Sequence, residues 1–113
     1  MVTYRNDLSV TPISYLPVIN LSQGDTDFAL VFDLYSTVGS FILESGSVVK
    51  LVGTRSDGSD FQIGGSIDGY SVTINGNILL TAIVGDYPAE IVIEHSEKRL
   101  ATSNFIISVE PLK

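Results

Sequence analysis

The feature that most constrains this chain is an apolar alternation with a period of two, cut at short intervals by turn residues. Phe28, Leu30, Phe32 and Leu34 alternate with Ala29, Val31, Asp33 and Tyr35, which sends one set toward a core and the other away from it. Val49, Leu51 and Gly53 alternate with Val48, Lys50 and Val52; Phe61 and Ile63 flank Gln62, and Val72 and Ile74 flank Thr73. Later, Ile91 and Ile93 alternate with Glu90, Val92 and Glu94, and Phe105, Ile107 and Val109 with Ile106, Ser108 and Glu110. In several of these runs the second face is apolar in part, which marks central strands or a face that another chain covers.

The turn residues are specific. Asp57-Gly58, Asp68-Gly69 and Asn75-Gly76 tolerate the positive φ that tight hairpin turns demand. Gly39 breaks the run after Tyr35, and Gly46 precedes the run that starts at Val48. The leucines and isoleucines of Asn77–Val84 do not alternate, and this stretch predicts one turn of helix before Gly85. Short strands at this spacing predict an all-β fold, an immunoglobulin-like antiparallel β-sandwich of about seven to eight strands. Its expected core is Phe28, Leu30, Phe32, Leu51, Ile91, Ile93, Phe105 and Ile107.

The first residues behave differently. Pro12 and Pro17 disfavour pairing in a central strand, and Tyr4, Leu8, Val10, Ile13, Tyr15 and Leu16 follow neither the helical nor the strand period. Residues 1–16 are therefore expected to form an extended N-terminal arm lying on a neighbour, or else a first edge strand, with residues 17–113 forming the sandwich. On the arm reading, Tyr4, Leu8, Val10, Ile13, Tyr15 and Leu16 are the candidate protein-interface residues. Tyrosine suits that role because its ring packs while its hydroxyl stays wet. Tyr35 and Tyr87 read as ordinary strand residues, one of them a corner tyrosine.

Composition excludes most other functions. The 113 residues make one domain, and 44% hydrophobic with 17% charged residues excludes disorder. Six basic against 13 acidic residues give a net charge of −7, without the basic footprint that holds nucleic acid or an anionic membrane. No cysteine and a single histidine remove disulfides, a thiol nucleophile and multi-histidine metal sites. Met1–Tyr15 has no apolar stretch of the signal-peptide kind, and Ile78–Val84 is far shorter than the roughly 20 residues of a membrane span.

Catalytic patterns are missing too. Gly64-Gly65-Ser66-Ile67-Asp68-Gly69 lacks the lysine of a phosphate loop and the second glycine of a nucleophile elbow, and reads as glycines at a strand end or bulge. His95, before the Ser96-Glu97-Lys98 turn, reads as a solvent-facing histidine with no triad spacing. Asp25 with Asp27, and Asp57 with Asp60, lack a calcium-loop pattern; Gly24-Asp25 reads as a turn. The expectation is no enzyme, no catalytic residue, no cofactor and no metal.

Several elements in order resemble a known family. Ile19-Asn20-Leu21-Ser22-Gln23-Gly24-Asp25 followed by Phe28–Leu34 resembles the opening of the N-terminal immunoglobulin-like domain of phage baseplate upper proteins. Leu43-Glu44-Ser45-Gly46 before Val48-Val49-Lys50-Leu51 is similar to that family's Leu-Thr-Gly element, with Glu-Ser in place of the single hydroxyl residue. Arg55-Ser56-Asp57-Gly58 is similar to its Pro-Asp-Gly turn, with serine for proline; Gly85-Asp86-Tyr87-Pro88-Ala89-Glu90 resembles its Gly-x-Tyr-x-Ala-Glu strand. Arg99-Leu100-Ala101-Thr102, with Phe105 and Val109, resembles its terminal strand.

The resemblance covers about Ile19 to Glu110. It implies a virion structural protein of a tailed phage, made in the host cytoplasm, that attaches a tail-tip or fibre assembly bearing receptor-binding proteins to a central hub. Such domains usually act as trimers, so a homo-oligomer with other phage structural proteins as partners is expected, with no nucleic acid and no membrane insertion. Ending at Lys113, the chain is expected to be the attachment module of a longer fibre or a short adaptor. The runner-up is a capsid decoration or head-fibre anchoring protein. A carbohydrate-binding module, which would stack sugars on aromatic rings, ranks below both because the chain has no tryptophan and its tyrosines are scattered.

Overall fold

The alternating runs become strands because each can bury one row of side chains only against another sheet. The computed structural model describes residues 1–13 and 16–111. Its elements are β1 (Val2–Ser9), β2 (Val18–Ser22), β3 (Phe28–Ser36), β4 (Gly39–Ser40), β5 (Val48–Thr54), β6 (Asp60–Gly64), β7 (Ser66–Asp68), β8 (Ser71–Asn75), α1 (Ile78–Thr81), β9 (Gly85–His95), β10 (Lys98–Ala101) and β11 (Phe105–Glu110). They form two sheets, one in the order β1-β3-β8-β7 with β4 on β3, the other in the order β2-β11-β9-β5-β6 with β10 on β9. Setting β3-β8-β7 over β11-β9-β5-β6 is the strand arrangement of an immunoglobulin-type sandwich.

The core lies between the sheets. Leu30, Leu51, Ile91, Phe105 and Ile107 are wholly buried, and Phe28, Phe32 and Ile93 nearly so. Phe32 and Phe105 bridge the layers with ring centroids 4.7 Å apart. Asn77 caps α1 through its side chain, which accepts a hydrogen bond from the Leu79 N–H, as a residue of that type does at a helix start. Gly58 and Gly69 take the positive φ their turns require.

Three features depart from the antiparallel sandwich of seven to eight strands. The sheets are mixed, since β1 runs parallel to β3 and β2 parallel to β11. The run Asp60–Ile67 is divided between sheets: β6 belongs to one, β7 to the other. The crossing point is Gly65, where a Cβ would lie 2.6 Å from Ile74 Cδ1 and 2.9 Å from the Thr73 carbonyl oxygen, so only glycine passes without displacing the core. The terminal strand that the resemblance implied, Arg99–Thr102 with Phe105 and Val109, is likewise divided into β10 and β11, both paired with β9.

The N-terminal segment is the main correction. Its first part is the edge strand that the sequence offered as the alternative to an arm: Tyr4, Asn6 and Leu8 lie opposite Leu30, Phe32 and Leu34, and Leu8 and Val10 belong to the core cluster. A boundary at residue 16 therefore cuts one sheet from its own edge strand. Asn6 interrupts the apolar alternation, which hid the strand. Pro12 and Pro17 fall outside β1 and β2, so neither deprives a ladder of a donor.

Candidate protein-docking site

The second sheet turns a concave, partly apolar face to solvent. Alternation places Val18 on β2, Ile106 and Ser108 on β11, Pro88, Glu90 and Val92 on β9, and Lys50, Val52 and Thr54 on β5 on this outer side. Val18, Ile106 and Pro88 form one row across three strands, since Ile106 registers with both of the others. Val52 and Glu90 register one step further along. The depression over β5, β6 and β9 has a volume of about 730 Å³ and is lined by Val52, Pro88 and Val92 among polar neighbours. Val92 is wholly buried although it faces away from the core. Val18 is half exposed.

Charges of both signs frame this patch. Lys50 Nζ stands 3.0 Å from Glu94 Oε1, Thr54 Oγ1 donates to Asp60 at 2.8 Å, and Ser108 Oγ donates to Asp86 at 2.6 Å. Glu90 and Arg99 also line the depression. Apolar and charged side chains are interspersed here, Glu90 standing between Pro88 and Val92 on the same side of β9, and a non-obligate protein interface is about as apolar as the rest of a surface.

The outer face of the first sheet is closed by contrast. Arg5 Nη1 donates to both carboxylate oxygens of Asp33 at 2.8 Å, and Ser71 Oγ donates to the same carboxylate at 2.5 Å. The Ser71 hydroxyl, with the Arg5 guanidinium, holds the Asp33 carboxyl below the usual carboxylate range against the opposing effect of burial.

One end of the sandwich gathers residues far apart in sequence. His95, at the end of β9, has Nε2 3.0 Å from Glu44 Oε2 and Nδ1 3.5 Å from Ser47 Oγ. The expectation of a solvent-facing histidine is corrected here, because only about a third of its side chain is exposed. Serine, histidine and glutamate do meet, a meeting that spacing along the chain gave no sign of. Yet the carboxylate is 78% exposed and the hydroxyl lies at the outer limit of a hydrogen bond. What this arrangement does is tie the Phe41–Ser47 segment to the β9–β10 hairpin. Among the described residues no three His, Asp or Glu side chains stand close enough together to hold a metal.

The interface residues expected from the sequence are scattered. Leu8 and Val10 are buried in this chain's own core, which corrects their assignment to a neighbour's surface. Tyr4 is half-buried and packs edge-on against Phe28 at 6.2 Å. Ile13 and Leu16 are exposed, and Leu16 lies two residues before Val18 on the outer patch. Tyr15 lies outside the described residues. Sequence reasoning did not name Val18, Pro88 and Ile106; the signal present was the apolar second face of β5, β9 and β11.

Tyr87 is the corner tyrosine. It stands near the start of β9, and its hydroxyl donates to the Leu80 carbonyl seven residues upstream, as in immunoglobulin-type sandwiches.

No protein-family model matches the chain, and no curated protein sequence does. Among solved structures, the N-terminal domain of phage TP901-1 ORF48 superposes on it with a TM-score of 0.74 at 16% sequence identity, covering 97% of this chain and 99% of that one. This chain shares the fold of that domain along nearly its whole length.

Proposed function

We propose that this chain is a non-enzymatic structural domain of a phage virion, which docks a receptor-binding assembly onto the baseplate or tail fibre. The observation that carries the reading is the fold shared over 97% of the chain with a domain of a phage protein. The ordered sequence elements from Ile19 to Glu110 that resemble baseplate upper proteins support it independently. The outer face of the second sheet supplies the docking surface, and the exposed Leu16, two residues before Val18, extends it. The trimer implied by the resemblance would close through this face.

Immunogold labelling of virions with an antibody against the chain tests the reading. Label at the tail tip is expected; label on the heads would replace it with capsid decoration, and unlabelled virions would overturn it. Val52→Glu combined with Ile106→Glu should abolish incorporation while circular dichroism stays that of the folded chain.

A further inference from the structure

The end of the sandwich where the Phe41–Ser47 segment faces the β9–β10 hairpin holds a pocket of about 390 Å³. Ile42, Leu43, Ile93 and Leu100 give it apolar walls, with Lys98 and Arg99 from the hairpin and the Glu44 carboxylate, engaged by His95, also lining it. Ile42 is 69% exposed and Leu100 38%, so much of the wall faces water. Ties from His95 to Glu44 and Ser47 hold the two sides together.

The cations of this pocket differ from the rest of the molecule's. Arg5 pairs with Asp33 and Lys50 with Glu94. Arg55 donates to the Leu79 carbonyl and to Ser59, and lies over the Phe61 ring. Among the described residues, Lys98 and Arg99 are the lysine and arginine side chains with neither an ion pair nor a hydrogen bond. A chain of net charge −7 thus leaves two cations unengaged beside one apolar pocket.

We infer that this pocket receives a segment of a partner protein presenting a bulky aliphatic or aromatic side chain flanked by carboxylates. The side chain enters between Ile42 and Leu100, replacing water on apolar surface, and the carboxylates meet Lys98 and Arg99 at the rim. The inference deepens the docking reading by giving the partner's chemistry at a second contact, which adjoins the outer face of the sheet and shares Arg99 with its depression.

Nuclear magnetic resonance titration with three short peptides tests it: acetyl-Glu-Leu-Glu-amide, acetyl-Glu-Ala-Glu-amide and acetyl-Lys-Leu-Lys-amide. The first is expected to shift the amides of Ile42, Leu43, Ile93 and Leu100 at millimolar concentration, and the other two to bind about two- to five-fold more weakly, the alanine peptide through lost apolar burial and the lysine peptide through lost ion pairs. Lys98→Glu with Arg99→Glu, both at exposed positions, should transfer the preference to the lysine peptide while the rest of the spectrum keeps its dispersion. Equal binding of all three peptides, no shift at these residues, or an unchanged preference after charge reversal would overturn the inference. Concentration-dependent shifts at these residues without peptide would overturn it in favour of a second copy of this chain. Virion labelling reads out separately, so failure here and failure of the attachment role are distinguishable.

Discussion

At the scale of single residues, Tyr87 and Asp33 show how one polar group anchors an apolar layer. Burial pushes the Tyr87 phenol up to about 12, the nearby Arg55 charge opposing it. Its neutral form is thus favoured by folding, and the stability this contributes is present below the ordinary tyrosine value of about 10 and lost as pH rises toward the folded value. The melting temperature is expected to fall over that alkaline interval, and less so in Tyr87→Phe. At neutral pH the same variant should cost roughly 1–3 kcal/mol in urea unfolding, because it strands the Leu80 carbonyl. Asp33 has the opposite sign. Its folded carboxyl lies below the usual range, so its contribution is present above about pH 4 and lost as pH falls through the folded value. Asp33→Asn should flatten the acid limb of a stability profile measured from neutral pH downward. That one of Tyr35 and Tyr87 is a corner tyrosine was readable, but not which, because the role rests on the Leu80 carbonyl that only the fold brings to the Tyr87 hydroxyl. The Asp33 network was not, since Arg5, Asp33 and Ser71 sit on three strands that only pairing brings together.

At the scale of elements, β1 carries the sharpest difference between sequence and structure. A period-two pattern reports a strand only where every inward position is apolar, and Asn6 breaks it between Tyr4 and Leu8. Parallel pairing leaves no hairpin turn to announce it either. Leu8→Ala is expected to destabilise the fold by about 2–5 kcal/mol, the usual cost of emptying a core leucine site. Deleting Met1–Leu16 should lower the urea midpoint further by uncovering Leu30 and Leu34 along the edge of β3; an unchanged midpoint would show that β1 does not hold the core. The helical turn, by contrast, was readable from Asn77 and Gly85, two local signals that need no tertiary partner. The passage of Asp60–Ile67 from one sheet to the other was not, because alternation continues across Gly65 while the inward direction changes sheet.

At the scale of the whole molecule, the net charge of −7 opposes close approach of identical copies, and the apolar outer patch favours it. Added salt screens the first, with a screening length of about 8 Å at physiological ionic strength, and leaves the second. Light scattering across the micromolar range is expected to give a trimer mass, with association strengthening as salt rises; a strict monomer at every salt concentration would remove self-association through the outer face. Apolar second faces were visible in the alternation, yet their assembly into one surface was not, because Val18, Pro88 and Ile106 adjoin only through strand register. Short-range pattern and charge count were enough for the all-β class, the buried row of each main strand, the Asp-Gly turns and the absence of a basic footprint. It took the packed fold to put Leu8 and Val10 in the core, to bring His95 to Glu44 and Ser47, and to set Lys98 and Arg99 beside an apolar pocket. Those are contacts between distant residues, and strand pairing and layer packing, unlike periodicity, leave no local trace along the chain.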